Sequence, residues 1–138
     1  MTNMIGGCLC GAVRYSAVAE PAIVALCNCT HCQKQSGAAY SVNIGIPKGA
    51  LTFTSGKTTV FEDKGSSGMP VHRHFCSQCG SPIYSDVVAI PGLDIIKAGS
   101  LDDSSWVKPV VSVWCESAQK WLKQPEGVAT FAQNPPAG

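Results

Sequence analysis

The sequence predicts a mainly β domain built from short strands, in which clustered cysteines bind metal. Two observations predict the strands: segments that alternate apolar and polar residues, and Gly- or Pro-containing turns that recur between them. A third observation is that seven of the eight cysteines fall into three tight clusters. The chain has 138 residues, which is long enough for one hydrophobic core and short for two. We therefore expect a single domain over residues 1–138, with a flexible tail over about 132–138.

Eight segments have the composition of β-strands. In chain order they are residues 12–16, 41–46, 51–53, 58–61, 71–75, 83–84, 94–97 and 110–114. They alternate in polarity or contain β-branched and aromatic residues, as strands do. Turn signals such as Ser55-Gly56 and Pro91-Gly92 separate them. Many short strands punctuated in this way are typical of a sandwich or barrel-like fold.

One segment, from about Thr30 to Ala38, has a helical pattern. Thr30 is its predicted N-cap, and Gly37 lies near its predicted end. Residues 117–122 are a candidate for a second, shorter helix. Six aromatic residues are expected in the core, and one of them is a candidate for lining a substrate groove: Phe53, Phe61, Phe75, Trp106, Trp114 and Trp121.

Composition and charge argue against several function classes. The formal net charge is +1 and the basic residues are scattered, so we expect no nucleic-acid partner. No window approaches the roughly 18 apolar residues of a membrane span, and the N-terminus lacks the features of a secretory signal. A cytoplasmic location follows, where thiols stay reduced and clustered cysteines favour metal over disulfides. Charged residues make up only 14% of the chain, which fits either much buried surface or a homodimer.

The two outer cysteine clusters have the spacing of metal knuckles. Cys8-x-Cys10 and Cys76-x-x-Cys79 are each followed by glycine, which readily adopts the left-handed conformation that ends such a knuckle. Two cysteines separated by one residue are too close for an unstrained disulfide. Together the four thiolates complete a structural zinc site. We expect this site to clip the N-terminal strand to a later hairpin and to stabilise the fold.

The middle cluster offers three sulfurs, from Cys27, Cys29 and Cys32. Zinc held by three protein ligands keeps one position for a substrate, whereas a fourth protein ligand makes the site structural. His31, His74 and Cys115 are the candidates for that fourth ligand. We favour the open, catalytic site. Otherwise Cys115 is expected to pack as a small apolar residue, and His31, His72 and His74 to lie at the surface or beside a site.

The residues around these clusters carry a resemblance to a known family. The chain resembles the glutathione-dependent formaldehyde-activating enzymes, a family that includes the centromere protein V group, from about residue 5 to residue 131. The order and spacing of all seven clustered cysteines fit this family. The motifs that carry the resemblance are Gly7-Cys8-Leu9-Cys10-Gly11, Cys27-Asn28-Cys29-Thr30-His31-Cys32 and Phe75-Cys76-Ser77-Gln78-Cys79-Gly80.

The resemblance implies a fold, two zinc ions and a reaction. The fold is Mss4-like, with short antiparallel strands and one or two short helices, clipped by zinc. The outer pairs, Cys8, Cys10, Cys76 and Cys79, match the structural zinc ligands, and Cys27, Cys29 and Cys32 match the catalytic ones. The implied enzyme is a carbon–sulfur lyase of the S-(hydroxymethyl)glutathione synthase type, with glutathione as thiol and formaldehyde or another small aldehyde as partner.

Two other functions remain open at this point. One is a non-catalytic zinc module that binds a protein or nucleic acid. The other is a different small-molecule reaction on the same scaffold, in which zinc polarises a carbonyl group. A second zinc with four protein ligands would favour the non-catalytic module.

Overall fold

Short β-strands dominate the computed structural model, which describes residues 1–135. The described residues contain one α-helix, α1 (Thr30–Ser36), and two 3₁₀-helices, Ala98–Ser100 and Cys115–Ser117. The strands are β1 (Thr2–Gly7), β2 (Arg14–Ala19), β3 (Ile23–Cys27), β4 (Ser41–Pro47), β5 (Leu51–Ser55), β6 (Thr59–Lys64), β7 (Pro70–Phe75), β8 (Pro82–Val87), β9 (Leu93–Lys97), β10 (Val111–Val113) and β11 (Ala129–Thr130).

The strands form two sheets. The small sheet has the order β1-β2-β5, and the large sheet has the order β11-β10-β3-β4-β9-β8-β7-β6. Neighbouring strands are antiparallel, except that β10 runs parallel to both β3 and β11. The prediction of a mainly β fold of short strands is confirmed. The parallel pairs arise because β10 and β11 come from a late part of the chain that returns to the edge formed by β3.

The hydrophobic core lies between the two sheets. In the large sheet, alternate residues point to opposite faces, so Ile44 and Ile46 of β4 are buried in the core while Gly45 faces the other way. Ile96 of β9 likewise enters the core, and Ile95 faces away from it. Tyr15 of the small sheet is 1% exposed and packs in the same cluster. One face of the large sheet therefore builds the core, and the other face is free for a site.

Helix α1 begins and ends close to where the sequence predicts. Its N-cap is Cys29 and not Thr30, because the Cys29 sulfur accepts a hydrogen bond from the Cys32 amide at 3.3 Å. At the other end, Gly37 has a φ of 67°, and its amide donates to the Gln33 carbonyl at 2.8 Å. A cysteine thus serves as both cap and candidate ligand.

The second predicted helix is misplaced. A 3₁₀-helix covers Cys115–Ser117, and residues 119–122 make only a turn. The cause is Trp114, whose φ of 57° reverses the backbone and starts the helical turn earlier. The strands β1, β3 and β11 were not predicted from the sequence. Glycines weaken the β1 pattern, β3 is continuously apolar, and β11 has only two residues.

The aromatic residues divide between the core and the surface. Phe53 and Trp106 pack against the core as predicted. Phe61 and Trp121 do not, since their exposed fractions are 59% and 76%. Phe61 lies on β6, one of the two edge strands of the large sheet, where no strand of residues 1–135 pairs on the outer side. Trp121 follows the last 3₁₀-helix, in a turn outside both sheets.

The C-terminal segment is partly described. The backbone amides of Trp114 and Glu116 donate to the carbonyls of Gln133 and Ala132 at 3.2 Å each. The tail predicted to be flexible thus includes residues that hydrogen-bond to the rest of the chain, and its residues 136–138 lie outside the described part. Within residues 1–135, none of the helices has the length and apolar character needed to traverse a bilayer.

Candidate metal centres and the adjoining cleft

The four cysteines of the outer clusters lie together. Cys8 and Cys10 follow β1, and Cys76 and Cys79 lie in the turn between β7 and β8. Their four Sγ atoms are all within 4.8 Å of one another. The Sγ of Cys10 lies 3.6 Å from that of Cys8 and 3.8 Å from that of Cys76. Sulfurs bound to one tetrahedral zinc at about 2.3 Å are about 3.8 Å apart, so the donor set and its spacing fit zinc.

Each pair is shaped by the glycine that follows it. Gly11 and Gly80 have φ angles of 83° and 78°, the left-handed conformation that the sequence predicts for both. The Gly11 amide donates to the Cys8 carbonyl at 3.2 Å, and the Gly80 amide donates to the Cys76 carbonyl at 2.8 Å. The chain therefore reverses directly after each second cysteine and leaves the sulfurs on the inside of the turn.

Three of the four outer sulfurs accept hydrogen bonds from outside the cluster. The Val13 amide lies 3.2 Å from the Cys8 Sγ, and the Gln78 amide 3.4 Å from the Cys76 Sγ. The Ser81 hydroxyl lies 3.2 Å from the Cys79 Sγ. This hydroxyl and the Ser81 backbone lower the pKa of Cys79 to about 5. A thiolate at neutral pH is the form that binds metal.

The three cysteines of the middle cluster also converge. Cys27 ends β3, Cys29 caps α1, and Cys32 lies in the first turn of the helix. Their Sγ atoms are within 4.8 Å of one another, and no fourth His, Cys or carboxylate ligand atom of residues 1–135 joins that group. The donor set fits a zinc ion with three protein ligands and one free position.

The candidates for a fourth ligand are engaged elsewhere. His31 Nδ1 lies 2.7 Å from Asp63 Oδ2, and its side chain is 55% exposed at the rim of the cleft, so it lies at the surface beside the site as expected. His74 Nδ1 lies 2.7 Å from the Thr58 hydroxyl. The Cys115 Sγ contacts the Ser112 carbonyl at 3.5 Å. His72, on the same strand as His74, lies near Glu62 and Asp86 and belongs to no metal-ligating group of the described residues.

Polar side chains hold the middle cluster against β10. The buried Asn28 donates from Nδ2 to the Ser112 hydroxyl at 2.9 Å and to the Val113 carbonyl at 2.8 Å. Gln33 Nε2 donates to the carbonyls of Asn28 and Ser117 at 2.7 and 2.9 Å. The cysteine loop is thereby braced on both sides, which gives the three sulfurs a defined arrangement.

Two cationic side chains that were not predicted from the sequence lie beside the middle cluster. Arg73 Nη1 is 3.9 Å from the Cys32 Sγ, and Arg73 Nε donates to Asp63 at 2.9 Å. Lys97 is 8% exposed, donates to the Ser41 hydroxyl and Asn43 Oδ1 at 2.9 and 3.0 Å, and has no ion-pair partner among the described carboxylates. The sequence does contain a signal for these two residues, because both occupy positions at which the alternation of the strand predicts an apolar side chain.

These cations favour a thiolate at Cys32. Hydrogen bonds from the thiols of Cys27 and Cys29 lower its pKa, and the positive charges of Lys97 and Arg73 lower it further. The pKa of Cys27 is raised, first of all by the hydrogen bonds that it shares with Cys29 and Cys32. Burial lowers the pKa of Lys97, and the neighbouring thiolates oppose that effect. The charge of the Cys32 sulfur and the charge of the Lys97 amine therefore depend on each other.

The middle cluster opens into a cleft of about 840 Å³ along the free face of the large sheet. The cysteines, Arg73 and Lys97 line one part of the cleft. Trp114, one of the aromatic candidates for a groove, lines it too. Six aliphatic residues from neighbouring strands contribute to its wall: Ile23, Val71, Val87, Leu93, Ile95 and Val111.

Comparisons with known proteins agree with this architecture. The model of a family described as glutathione-dependent formaldehyde-activating enzyme matches residues 3–117. A protein of Talaromyces marneffei is 30% identical over 107 residues, covering 74% of this chain and 55% of that protein. One from Halomonas elongata is 32% identical over 83 residues, covering 57% and 53%. Both carry the provisional name of a glutathione-dependent formaldehyde-activating enzyme.

The chain spans about half the length of these curated relatives. Among solved structures, a Rhodobacter sphaeroides protein from a structural genomics programme superposes with a TM-score of 0.59. It is 19% identical, and the match covers 72% of this chain and 88% of that one. This similarity shows a shared fold.

Proposed function

The chain belongs to the glutathione-dependent formaldehyde-activating enzyme family, and we propose that it is a zinc-dependent carbon–sulfur lyase of the S-(hydroxymethyl)glutathione synthase type. The observation that supports this proposal best is the cluster of Cys27, Cys29 and Cys32, which has no fourth ligand among the described residues and faces the cleft. A closed four-ligand site would have no position for a substrate.

Two metal ions have different roles in this proposal. Cys8, Cys10, Cys76 and Cys79 hold a structural zinc that joins the end of β1 to the β7–β8 turn. Zinc held by Cys27, Cys29 and Cys32 would keep one position for the glutathione sulfur and hold it as a thiolate at neutral pH. All eight cysteines are free in the structure, which is consistent with a reducing compartment such as the cytoplasm.

The surrounding side chains supply the rest of the chemistry. A bond forms between the thiol sulfur and the aldehyde carbon, while the carbonyl π-bond opens and its oxygen takes up the proton that the thiol lost. Negative charge develops at that oxygen. The Lys97 ammonium and the Arg73 guanidinium lie in the cleft beside the cysteines, where preorganised donors stabilise such a charge. The braced cysteine loop and the cleft hold the two reactants near each other.

Exchange NMR with ¹³C-formaldehyde and glutathione tests the proposal. It measures the rate of adduct formation, and comparing samples with and without the protein separates catalysed from spontaneous formation. We expect the protein to accelerate exchange and to contain two zinc ions per chain. Cys32→Ser should abolish the acceleration and leave about one zinc. Cys115→Ser is the matched control, since Cys115 lies outside both clusters, and it should behave as wild type.

Two results would reject the proposal. One is acceleration that Cys32→Ser leaves unchanged. The other is a protein with two tightly held zinc ions that neither respond to millimolar glutathione nor accelerate exchange, which would point to a non-catalytic binding module.

A further inference from the structure

The middle of the cleft is an aliphatic surface. Ile23 of β3 and Ile95 of β9 lie on either side of Gly45 of β4, in register across the sheet. A Cβ atom at Gly45 would lie 3.0 Å from Ile23 Cγ2, 3.1 Å from Leu93 Cδ1 and 3.6 Å from Ile95 Cδ1. The three side chains therefore converge over the glycine. Ile23 remains 39% exposed, so this surface is open to the cleft.

Formaldehyde does not account for this surface. It has two non-hydrogen atoms, comparable to two water molecules, which occupy about 60 Å³ in the liquid. The cleft measures about 840 Å³. Glutathione is a polar tripeptide, and covering aliphatic side chains with it would bury carboxylate and amide groups without hydrogen-bond partners. The converging side chains instead match a hydrocarbon chain, whose burial is favourable.

A polar group in the cleft wall lies next to this surface. Ser85 of β8 is 3% exposed, and its hydroxyl has no hydrogen-bond partner among residues 1–135. It pairs in register with Arg73 on one side and Ile95 on the other. An unpartnered buried hydroxyl is destabilising, and a ligand oxygen would supply the missing partner. Ser85 therefore lies at the boundary between the aliphatic surface and the charged end near Cys32.

We propose that the cleft takes an aldehyde with an aliphatic chain of several carbons. Its carbonyl oxygen lies near Ser85 and Arg73, and its chain lies over Ile23, Leu93 and Ile95. This inference rests on the proposed function, because the aldehyde is the partner of the thiol there. The covalent step has the same balance as with formaldehyde: the carbon–sulfur bond forms, and the thiol proton ends on the carbonyl oxygen.

A binding experiment tests the aliphatic surface without any reaction. Calorimetric titration of the zinc-loaded protein with butanamide, hexanamide and octanamide presents a carbonyl oxygen and three chain lengths. We expect the Kd to fall about tenfold for each pair of added methylene groups. Ile23→Ser should flatten this dependence. Val18→Ser is the matched control, because Val18 is 60% exposed on the small sheet, and it should keep the wild-type dependence.

The polar end has its own variant. Ser85→Ala should weaken the binding of all three amides by a similar factor of about threefold to tenfold, since it removes one hydrogen bond and leaves the aliphatic surface intact. Amide binding that is independent of chain length, or equally length-dependent in Ile23→Ser, would overturn the inference.

Turnover separates this inference from the proposed function. With glutathione present, we expect a higher kcat/KM for hexanal than for formaldehyde. Turnover of formaldehyde with no length-dependent amide binding would overturn the inference and leave the proposed function intact. Length-dependent amide binding without turnover of any aldehyde would support the aliphatic surface and reject the lyase.

Discussion

Nη1 of Arg73 lies 3.9 Å from the Cys32 sulfur, although the two residues are 41 positions apart in the chain. Cys32 is placed by the first turn of α1, and Arg73 comes from β7 in the large sheet. Asp63 accepts a hydrogen bond from the same guanidinium on its other side. The arginine thus connects a carboxylate to a candidate metal ligand.

Replacement of Arg73 should weaken metal binding at the middle cluster. Arg73→Met removes a positive charge beside the Cys32 thiolate, and the loss of a group that supports a ligand typically weakens metal affinity tenfold or more. We expect the second zinc to bind about tenfold more weakly in competition with a chelator. Arg14→Met is the control, because Arg14 pairs with Asp102 away from this cluster. Equal zinc affinity in both variants would contradict the role given to Arg73.

The carboxylate of Asp63 should make stability depend on pH. Burial raises its pKa, but hydrogen bonds from His31, the Lys64 amide and Arg73 outweigh this, so the net pKa lies below the ordinary value. Because the folded-state pKa is below the unfolded value of about 3.9, the stabilisation is complete above that pH and is lost as the pH falls through the folded-state pKa.

Asp63→Asn should therefore have a lower urea midpoint than wild type at pH 7, and the difference should shrink below about pH 4. The measurement is the urea midpoint of both proteins from pH 7 to pH 3. A difference that stays constant over this range would show that the ionised carboxylate is not its source.

A methyl group at Gly80 should destabilise the protein through backbone conformation alone. Gly80 has a φ of 78°, and a Cβ there would meet no atom within 4 Å. The left-handed conformation costs a residue other than glycine about 1–2 kcal/mol, so Gly80→Ala should lower the free energy of unfolding by about that amount. Gly99→Ala is the matched control, since a Cβ at Gly99 also meets nothing and its φ is ordinary. Equal effects of the two substitutions would exclude the conformational cause.

Loss of one outer cysteine should remove the clip between the two halves of the chain. Cys10→Ser leaves three sulfurs at the outer cluster, and a structural zinc site contributes directly to folding. We expect one zinc fewer per chain and a Tm lowered by several degrees. A chelator should then lower the Tm of wild type further than that of the variant. An unchanged Tm in Cys10→Ser would show that the outer cluster does not stabilise the fold.

Local patterns made much of this molecule predictable. The spacing of Cys8, Cys10, Cys76 and Cys79 indicates one group of four sulfurs, and the structure brings those sulfurs together. The glycine after each pair is left-handed, as expected from its position. The end of helix α1 was predictable because Gly37 readily adopts the left-handed conformation that ends a helix. Each cysteine pair, each glycine and the helix end is a signal that spans only a few residues, although the two pairs themselves lie more than 60 positions apart in the chain.

The features that were not predicted from the sequence depend on contacts between residues far apart in the chain. Arg73 and Lys97 approach the cysteines because β7 and β9 lie on one sheet with β3, and no local pattern specifies that order. Trp114 begins the last 3₁₀-helix through a left-handed φ of 57° that its residue type does not suggest. The exposure of Phe61 follows from the edge position of β6, which only the strand order reveals.

The two faces of β3, β4 and β9 assign alternate residues of the same strands to the core and to the cleft. Ile44 and Ile96 serve the core, while their immediate neighbours Gly45 and Ile95 serve the cleft. A substitution at a cleft position leaves the core side chain beside it in place, so we expect the cleft lining to tolerate replacement with little loss of fold. A one-residue insertion in any of these strands would instead exchange the two sets. Evolution of this domain is thus expected to proceed by replacement within strands, with insertions confined to the loops between them.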